Sequence, residues 1–578
     1  MLTNLRIRNF KWFNNVEIEL GQSVVLVGPN NSGKTTVLQA LALWEVGLRA
    51  WNEKRSGRAA PEKRPGVTIN RRDLVPIPVP SADLLWRGVH VREGERAGGR
   101  DGKTRTRNIR IEIAVSGVSE GEEWTCGLEF DFSNEESFVC RPLRLPEYEN
   151  VQVRQARFTT IPEAAAKTRV AYLPPMSGLS DREFIKRPGE IAFLIGQGQT
   201  AQVLRNLCFQ IFESGKGSGA WVDFSDRIRR LFGVVLQPPK IAQQDQIIME
   251  YQENGMTLDL SCSGRGLQQT LLLLAHLYAN PGTVLVLDEP DAHLEILRQR
   301  QTYELLTKVA ERQGSQIIAA SHSEVLLNEA ADRDIVISFV GSPHRIDDRG
   351  NQTAKALKEF GYEDYCQAEQ RGWVLYLEGT TDLAILQEFA EKLEHPAAEF
   401  LSAPFLKTVC NSPQNAGKHF YGMREANRDL VGIALFDRLE KPLPPGDGLV
   451  YQSWRRREIE NYLCAPNVLI SFAGSEIPGG LFVKPRKELM ERLIADRVPR
   501  IALRDPNDPY WSNVKATDDF LDLLFAEYYK QQGLPNLMRK TDYYELARHM
   551  ERVDIVPEVV EKLDAILAVA QRAKPRTE

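Results

Sequence analysis

No apolar run in this chain approaches the roughly 20 residues needed to cross a bilayer. The opening stretch MLTNLRIRNFKWF alternates like a strand and lacks the long apolar core of a signal peptide. These absences exclude a membrane span and lead us to expect a cytoplasmic protein. Cysteine is sparse: Cys126, Cys140, Cys208, Cys262, Cys366, Cys410 and Cys464 are scattered, with no CxxC pair. That pattern argues for reduced, structural thiols and against a zinc site. Positive charge is not in excess, the formal net charge being -5, so any nucleic-acid contact must use local basic patches against the global field. Sustained heptads are missing between Thr35 and Ser261, which excludes long coiled-coil arms, and there is no internal repeat or low-complexity tract.

What is present is ordinary globular composition, 42% hydrophobic and 26% charged over 578 residues, too long for one core and expected to form two or three domains. Leu2 to Leu20 reads as two alternating strands, followed by the buried strand VVLVG at Val24 to Gly28. Thr35 to Trp51 has helical spacing. Arg49 to Arg110, rich in Pro, Gly and Arg, reads as a long excursion over the surface. Strands resume at Ile109 to Val115, Thr125 to Phe132 and Arg169 to Leu173. From Asp181 to Phe232 the pattern is helical, with a break near Gly215 to Gly219. Leu267 to Tyr278 is an apolar helix, and Thr283 to Leu287 and Gln316 to Ala320 are strands. The main boundary falls between about Val340 and Gly372, after which strands and helices alternate to about Ile470 and helix predominates to Ala573.

Gly28-Pro29-Asn30-Asn31-Ser32-Gly33-Lys34-Thr35, with Thr36 following, fits G-x-x-x-x-G-K-[ST] between a strand and a helix. The glycines let backbone amides turn inward around phosphate, Lys34 neutralises it, and Thr35 offers a hydroxyl to magnesium. The bland alternative is a glycine turn with an incidental lysine. Asp288 ends the strand VLVLD, where a carboxylate can hold magnesium through water, and Glu289 is the candidate base. A plain surface turn would look similar, and a lone His322 would read as structural. In register at the ends of consecutive strands, however, Asp288, Glu289 and His322 mark an ABC-type ATPase. Ser263-Gly264-Arg265-Gly266 opens the Leu267 helix as a divergent ABC signature, or as a simple helix cap. In the ABC class it would cap the nucleotide of an opposite protomer.

The second half carries WVLYLEGTTDLAILQEFA at Trp373 to Ala390 and VGIALFDRLE at Val431 to Glu440. Each is a buried strand ending in a carboxylate, Glu378 and Asp437, with Asp382 opening the first helix. Strand C-terminal edges are where open α/β sheets bind ligands. Acidic groups converging there need a hard cation, magnesium or manganese. Singly, each is as well explained by a solvated turn.

Taken together, LRIRNF, GPNNSGKT and DEPDAHLE resemble the RecF/SMC-like branch of ABC ATPases, especially the ATPase half of OLD-family proteins. Glu378, Asp382 and Asp437 resemble a Toprim fold. The resemblance implies an α/β architecture: an N-terminal ABC/RecF-like ATPase domain with a helical insertion, a Toprim-like α/β domain, and a helical C-terminal region. We place these at 1–345 (insertion about 178–235, a candidate dimerisation element), 370–470 and 471–578. WRRREIENYL at Trp454 to Leu463 looks like the motif of OLD-type, and especially PARIS-type, Toprim domains in which an acidic residue before Asn completes the metal site. Glu460 is the choice, with Glu458 second; an amphipathic helix with Arg455, Arg456 and Arg457 on a charged face is the alternative. Functionally those arginines would hold a phosphate backbone. Families with a D-x-D pair would carry a carboxylate where this chain has Leu439, so Glu440 substitutes or the site has fewer ligands. LMRKTDYYEL resembles the stretch where OLD-like nucleases place a basic catalytic residue, here Lys540, although an exposed structural lysine is the common case. The cluster Arg92 to Arg110 (Arg100, Lys103, Arg105, Arg107, Arg110) is a backbone-tracking loop or a solvated insert.

The resemblance implies an ATP- and metal-dependent nuclease acting on DNA or RNA, serving in defence against foreign nucleic acid. It also implies a homodimer or larger even-numbered oligomer joined through its ATPase heads, and a separate trigger or accessory protein. A tRNA- or RNA-cleaving PARIS-like effector is a close variant. A RecF-like ATP-dependent scaffold that binds DNA without cutting it is the alternative of a different class.

Overall fold

The computed structural model describes residues 1–55, 66–96, 104–143, 161–214, 219–331, 333–346, 359–475 and 483–575. The chain divides into two compact units, Met1–Ala354 and Lys355–Glu578.

In the first unit the segment Ser23–Val27 is buried at all five positions, as expected of a strand covered on both faces. It sits inside a sheet ordered Val170–Leu173, Val284–Asp288, Gln316–Ser321, Ser23–Val27, Ile335–Ser338, His344–Arg345. The first five strands are parallel and the last is antiparallel. A second, antiparallel sheet is ordered Phe13–Glu19, Leu2–Phe10, Arg110–Ser119, Glu122–Asn134, Ser137–Pro142, Val67–Asn70. The long helix Lys34–Arg55 lies between the sheets and is buried nearly all round. Val37, Leu41 and Trp44 share one core with Leu128 and Phe130 of the antiparallel sheet and with Val24, Leu26 and Ile318 of the parallel one. At Gly47 the helix lies close against the antiparallel sheet. A Cβ there would meet Phe130 at 2.9 Å and Leu128 and the Cys140 sulfur at 3.0 Å. The opposite face of the parallel sheet packs on the helices Leu204–Ser214, Ala220–Phe232 and Arg265–Ala279.

Two sequence readings change. Arg49 to Arg110 is not a surface excursion throughout: its described parts supply an edge strand, Val67–Asn70, and buried Ile69, Leu74, Ile77, Leu85 and Trp86. Trp86 packs edge-on against Phe132 and Phe138. Asp181 to Arg187 is also not helical; helices begin at Pro188 and run Pro188–Gly196, Leu204–Ser214 and Ala220–Phe232. Arg100 and Lys103, with the Arg105 side chain, lie outside the described residues, as does most of the expected break at Gly215 to Gly219. Arg110 is taken up by Glu129 at 3.3 Å.

The second unit is built on a four-stranded parallel sheet ordered Leu406–Thr408, Trp373–Leu377, Val431–Phe436, Leu449–Ser453. One face, through Leu375, Leu377, Ile433 and Leu435, shares a single core with the helices from Pro466 to Ala570. On the other, Tyr376 bonds His419 Nδ1 at 2.7 Å, and His419 Nε2 meets Asp364 at 3.0 Å. That fully partnered network pins two helices to the sheet.

Candidate functional sites

The first site grows from the end of Ser23–Val27. Gly33 has φ +98°, and a Cβ on it would lie 2.8 Å from the Phe13 ring; one on Gly28 would lie 2.8 Å from Ser32 Oγ. Only glycine fits at either position. Asn30 and Asn31 are exposed on the turn, Asn31 at φ +62°, and Thr36 follows half-buried in the first turn of the helix. Lys34 is buried and its Nζ donates to the carbonyls of Gly28 (2.7 Å) and Pro29 (2.8 Å). Ser32 Oγ is buried with no partner, an orphaned donor at the phosphate cradle that fits a nucleotide.

The strand Gln316–Ser321 lies between Ser23–Val27 and Val284–Asp288, so Asp288 reaches the loop from two strands away. Thr35 Oγ1 donates to Asp288 at 3.2 Å and Tyr172 Oη donates to its other oxygen at 3.4 Å. Burial pushes Asp288 up to about 6, with Glu289 adding to the rise and the Thr35, Tyr172 and Lys34 contacts opposing it. A hard oxygen pair so placed fits magnesium. Glu289 stands at φ +50°, and its carboxylate is 3.7 Å from His322 Nδ1; both side chains are substantially exposed, at 41% and 57%. Asp291, buried, accepts from Ser321 Oγ at 2.7 Å and ties this turn to the next strand. Gly264, exposed, is the N-cap of the helix Arg265–Ala279, which has no side-chain cap, while the preceding Ser263 hydroxyl donates to Leu260 O at 2.7 Å. Tyr172 and Asp291 escaped the sequence reading, since one sits in an unremarkable strand and the other inside a motif already assigned.

Residues 1–45 match the family described as "AAA ATPase domain", and residues 205–328 match the one described as "AAA domain, putative AbiEii toxin, Type IV TA system". The first unit carries an AAA/ABC-type ATPase domain. The ATPase domain thus holds every nucleotide-binding motif named above, and neither family match extends into the second unit. No curated protein matches the chain. Among the solved structures that superpose loosely are three that each cover 60% of this chain. One is an Smc head bound to the C-winged helix domain of ScpA, 16% identical, 97% covered, TM-score 0.34. Another is the SMC head domain from Thermotoga maritima, 17% identical, 98% covered, TM-score 0.30. The third, from Pyrococcus furiosus, is an Smc head with an extended coiled coil bound to the C-terminal domain of ScpA, 15% identical, 96% covered, TM-score 0.32. At these scores the likeness says nothing of partners or activity.

The second site lies at the C-terminal edge of the second unit's sheet. Trp373–Leu377 and Val431–Phe436 are adjacent and parallel, so Glu378 and Asp437, each the next residue, emerge side by side. Their carboxyls share a hydrogen bond, and burial, that bond and the charges of Glu378, Glu460 and Asp382 hold Asp437 far above the usual carboxylate range. Asp382 opens the helix Thr380–Lys392 and accepts from the amides of Glu378 (3.2 Å) and Gly379 (3.4 Å); burial raises it, with Glu378 adding and Lys540 opposing. Burial likewise pushes Glu460 up to about 7 although Lys540 works against the rise. Lys540 Nζ stands 3.7 Å from Glu460. Burial tends to lower Lys540, but Glu460, Glu378, Glu458 and Asp382 outweigh it and keep the ammonium above its ordinary value.

WRRREIENYL is a loop closing in the short turn Ile459–Tyr462, not an amphipathic helix, because Ile459, Glu460, Asn461 and Tyr462 are all buried. Geometry separates the two glutamates. Glu458 accepts from the Thr517 amide at 3.2 Å and caps the segment after it, whereas Glu460 faces Lys540. Asn461 fixes the turn: its Oδ1 accepts from the Glu458 amide (2.8 Å) and its Nδ2 donates to Trp511 O (3.0 Å) and Val514 O (2.9 Å). Arg455 pairs with Glu561 at 2.7 Å, and Arg456 donates to Asn461 O and lies over the Tyr462 ring. Leu439 is half-buried and Glu440 is exposed. Among the described residues no three His, Cys, Asp or Glu side chains form a ready-made metal cage. The gathered oxygens are hard donors; burial first, and like charge after it, raises Asp437, Asp382 and Glu460, a cost that a divalent cation would relieve.

Proposed function

We propose that this protein is an ATPase-coupled, divalent-metal-dependent nucleic-acid endonuclease of OLD type, acting in defence against foreign nucleic acid. The observation that carries the reading is the juxtaposition of Glu378 with Asp437 at adjacent strand ends, with Glu460, Asp382 and Lys540 around them. Such a set has no evident structural use, since clustering carboxylates in a half-buried edge costs stability. Glu378, Asp437 and Glu460 would hold magnesium or manganese, with Asp382 orienting the turn before its helix. The metal would polarise the phosphodiester and activate water. Lys540, kept protonated, would balance charge growing on the attacked phosphate. In the ATPase domain, Lys34 and the loop amides would bind the ATP phosphates, Thr35 and Asp288 its magnesium, and Glu289 would orient or deprotonate water, with His322 beside it. Ser263 and Gly264 would close on a second protomer's nucleotide, making the working form an even-numbered assembly.

The test is incubation of the full chain with DNA or RNA, with magnesium or manganese, with and without ATP. Cleavage by wild type, and its loss in Glu378→Ala with ATP hydrolysis retained, is the expected result. A chain whose cellular activity survives Glu378→Ala and Glu460→Ala but not Lys34→Ala is instead a non-cutting ATP-dependent scaffold, the reading that Leu439 favours.

A further inference from the structure

Arg438 directly follows Asp437, and Arg457 lies three residues before Glu460. Both are exposed, and both reach the same short segment. Arg438 Nη1 donates to Ser512 O (3.2 Å) and Asn513 Oδ1 (2.8 Å). Arg457 Nη1 donates to Asn513 O (3.3 Å), and its amide bonds Ser512 O at 3.0 Å. The Arg438 amide in turn donates to Arg457 O at 3.1 Å. Two guanidiniums are therefore held against one residue, by neutral oxygens alone. Among the described residues neither has a carboxylate partner, and in each the Nε and Nη2 donors have no acceptor. This contrasts with Arg455, neutralised by Glu561, and with Lys540, which answers the carboxylates.

Holding two like charges together without a counter-ion is unfavourable unless an anion completes the arrangement. A guanidinium with free Nε and Nη2 offers the planar fork that matches two phosphate oxygens. We infer that Arg438 and Arg457 form a clamp for the backbone phosphates of a nucleic-acid strand beside the carboxylate edge. The clamp is indifferent to sequence, because it reads phosphate and not base edges. It rests on the proposed nuclease reading only for its purpose, which is to present the neighbouring phosphodiester to Glu378, Asp437 and Glu460.

The test is binding of fluorescein-labelled single strands of mixed sequence, in DNA and RNA arms, to the full chain without divalent metal and over a series of salt concentrations. Each lost phosphate contact lowers the salt slope of log affinity by about 0.7 for a single strand. Arg438→Gln and Arg457→Gln are each expected to lower the slope by that amount, and the double variant by about twice as much. Arg548→Gln, at an arginine already paired with Glu388, should leave it unchanged. Arg438→Lys and Arg457→Lys keep the charge while giving up the fork offered to phosphate and the Nη1 bond to Asn513, and should retain the slope. An unchanged slope in the double Gln variant overturns the clamp. So does a wild-type chain that binds neither strand, or Lys variants that lose as much slope as the Gln variants. Cleavage is read separately with magnesium: a chain that binds with the expected slope but never cuts keeps the clamp and loses the nuclease.

Discussion

Asn461 is the side chain on which the second site's shape most depends, and removing it gives a prediction with a definite size. The residue is 1% exposed and makes three hydrogen bonds of 2.8–3.0 Å, one accepted and two donated. The two bonds that Asn461 donates contribute about 1 kcal/mol net each, and in place of the third the Glu458 amide left without an acceptor costs about 1–3 kcal/mol. Asn461→Ala should therefore destabilise the second unit by about 3–5 kcal/mol. For a unit of this size, Lys355–Glu578, that lowers its melting temperature by roughly 10 °C. Asn461→Asp sharpens the test. The carboxylate keeps an acceptor for Glu458 but turns a second oxygen toward the Trp511 and Val514 carbonyls, so it should be no better tolerated than alanine. The assay is thermal unfolding of the full chain with and without ATP, in which only the first unit's transition moves with nucleotide. If both variants melt within about 2 °C of wild type in the other transition, the turn is not held as described and Glu460 owes its position to something else.

Other expectations concern the ATPase domain. Gly33→Ala places a Cβ 2.8 Å from Phe13 at φ +98°, and should cost about 1–3 kcal/mol and abolish nucleotide binding in a fluorescent-ATP titration. Tyr172→Phe removes one of the two hydroxyls on Asp288, and should raise the magnesium concentration giving half-maximal ATP hydrolysis severalfold while leaving metal-free ATP binding intact. Burial pushes His276 down to about 4 from its ordinary 6.5. The unfolded chain then takes up that proton first, so the first unit keeps its full stability above about pH 6.5 and loses it as pH falls toward 4. At pH 5 the loss is about 2 kcal/mol, and His276→Leu should flatten that part of the melting-temperature profile; an equally steep profile in the variant refutes the assignment.

How much of this was legible in the residues follows from whether the signal was local. VVLVG with GPNNSGKT, and VLVLD before Glu289, are continuous apolar strands ending in charged turns, and they fold as the strands and loops read from them. The pairing order was not local: nothing in either motif says that Gln316–Ser321 intervenes between them. Arg49 to Arg110 misled because its core residues, from Ile69 to Trp86, sit on one short strand and irregular turns, with no period to betray burial under the Pro, Gly and Arg around them. In Trp454 to Leu463 the charges left a solvated helix open as the alternative to a metal-site motif, yet Asn461 is anchored by carbonyls 50 and 53 residues further on. The guanidiniums of Arg438 and Arg457 likewise converge on Asn513, which no spacing rule connects to either.

Glu289 occupies a left-handed backbone conformation at φ +50° that an L-residue holds at a penalty of roughly 1–2 kcal/mol. Glycine there would relax the turn while deleting the carboxylate beside His322. On the proposed role of Glu289, a Glu289→Gly chain should outlast its parent on heating yet keep ATP unhydrolysed, and the peptide geometry would then be a trade of durability for turnover at that corner.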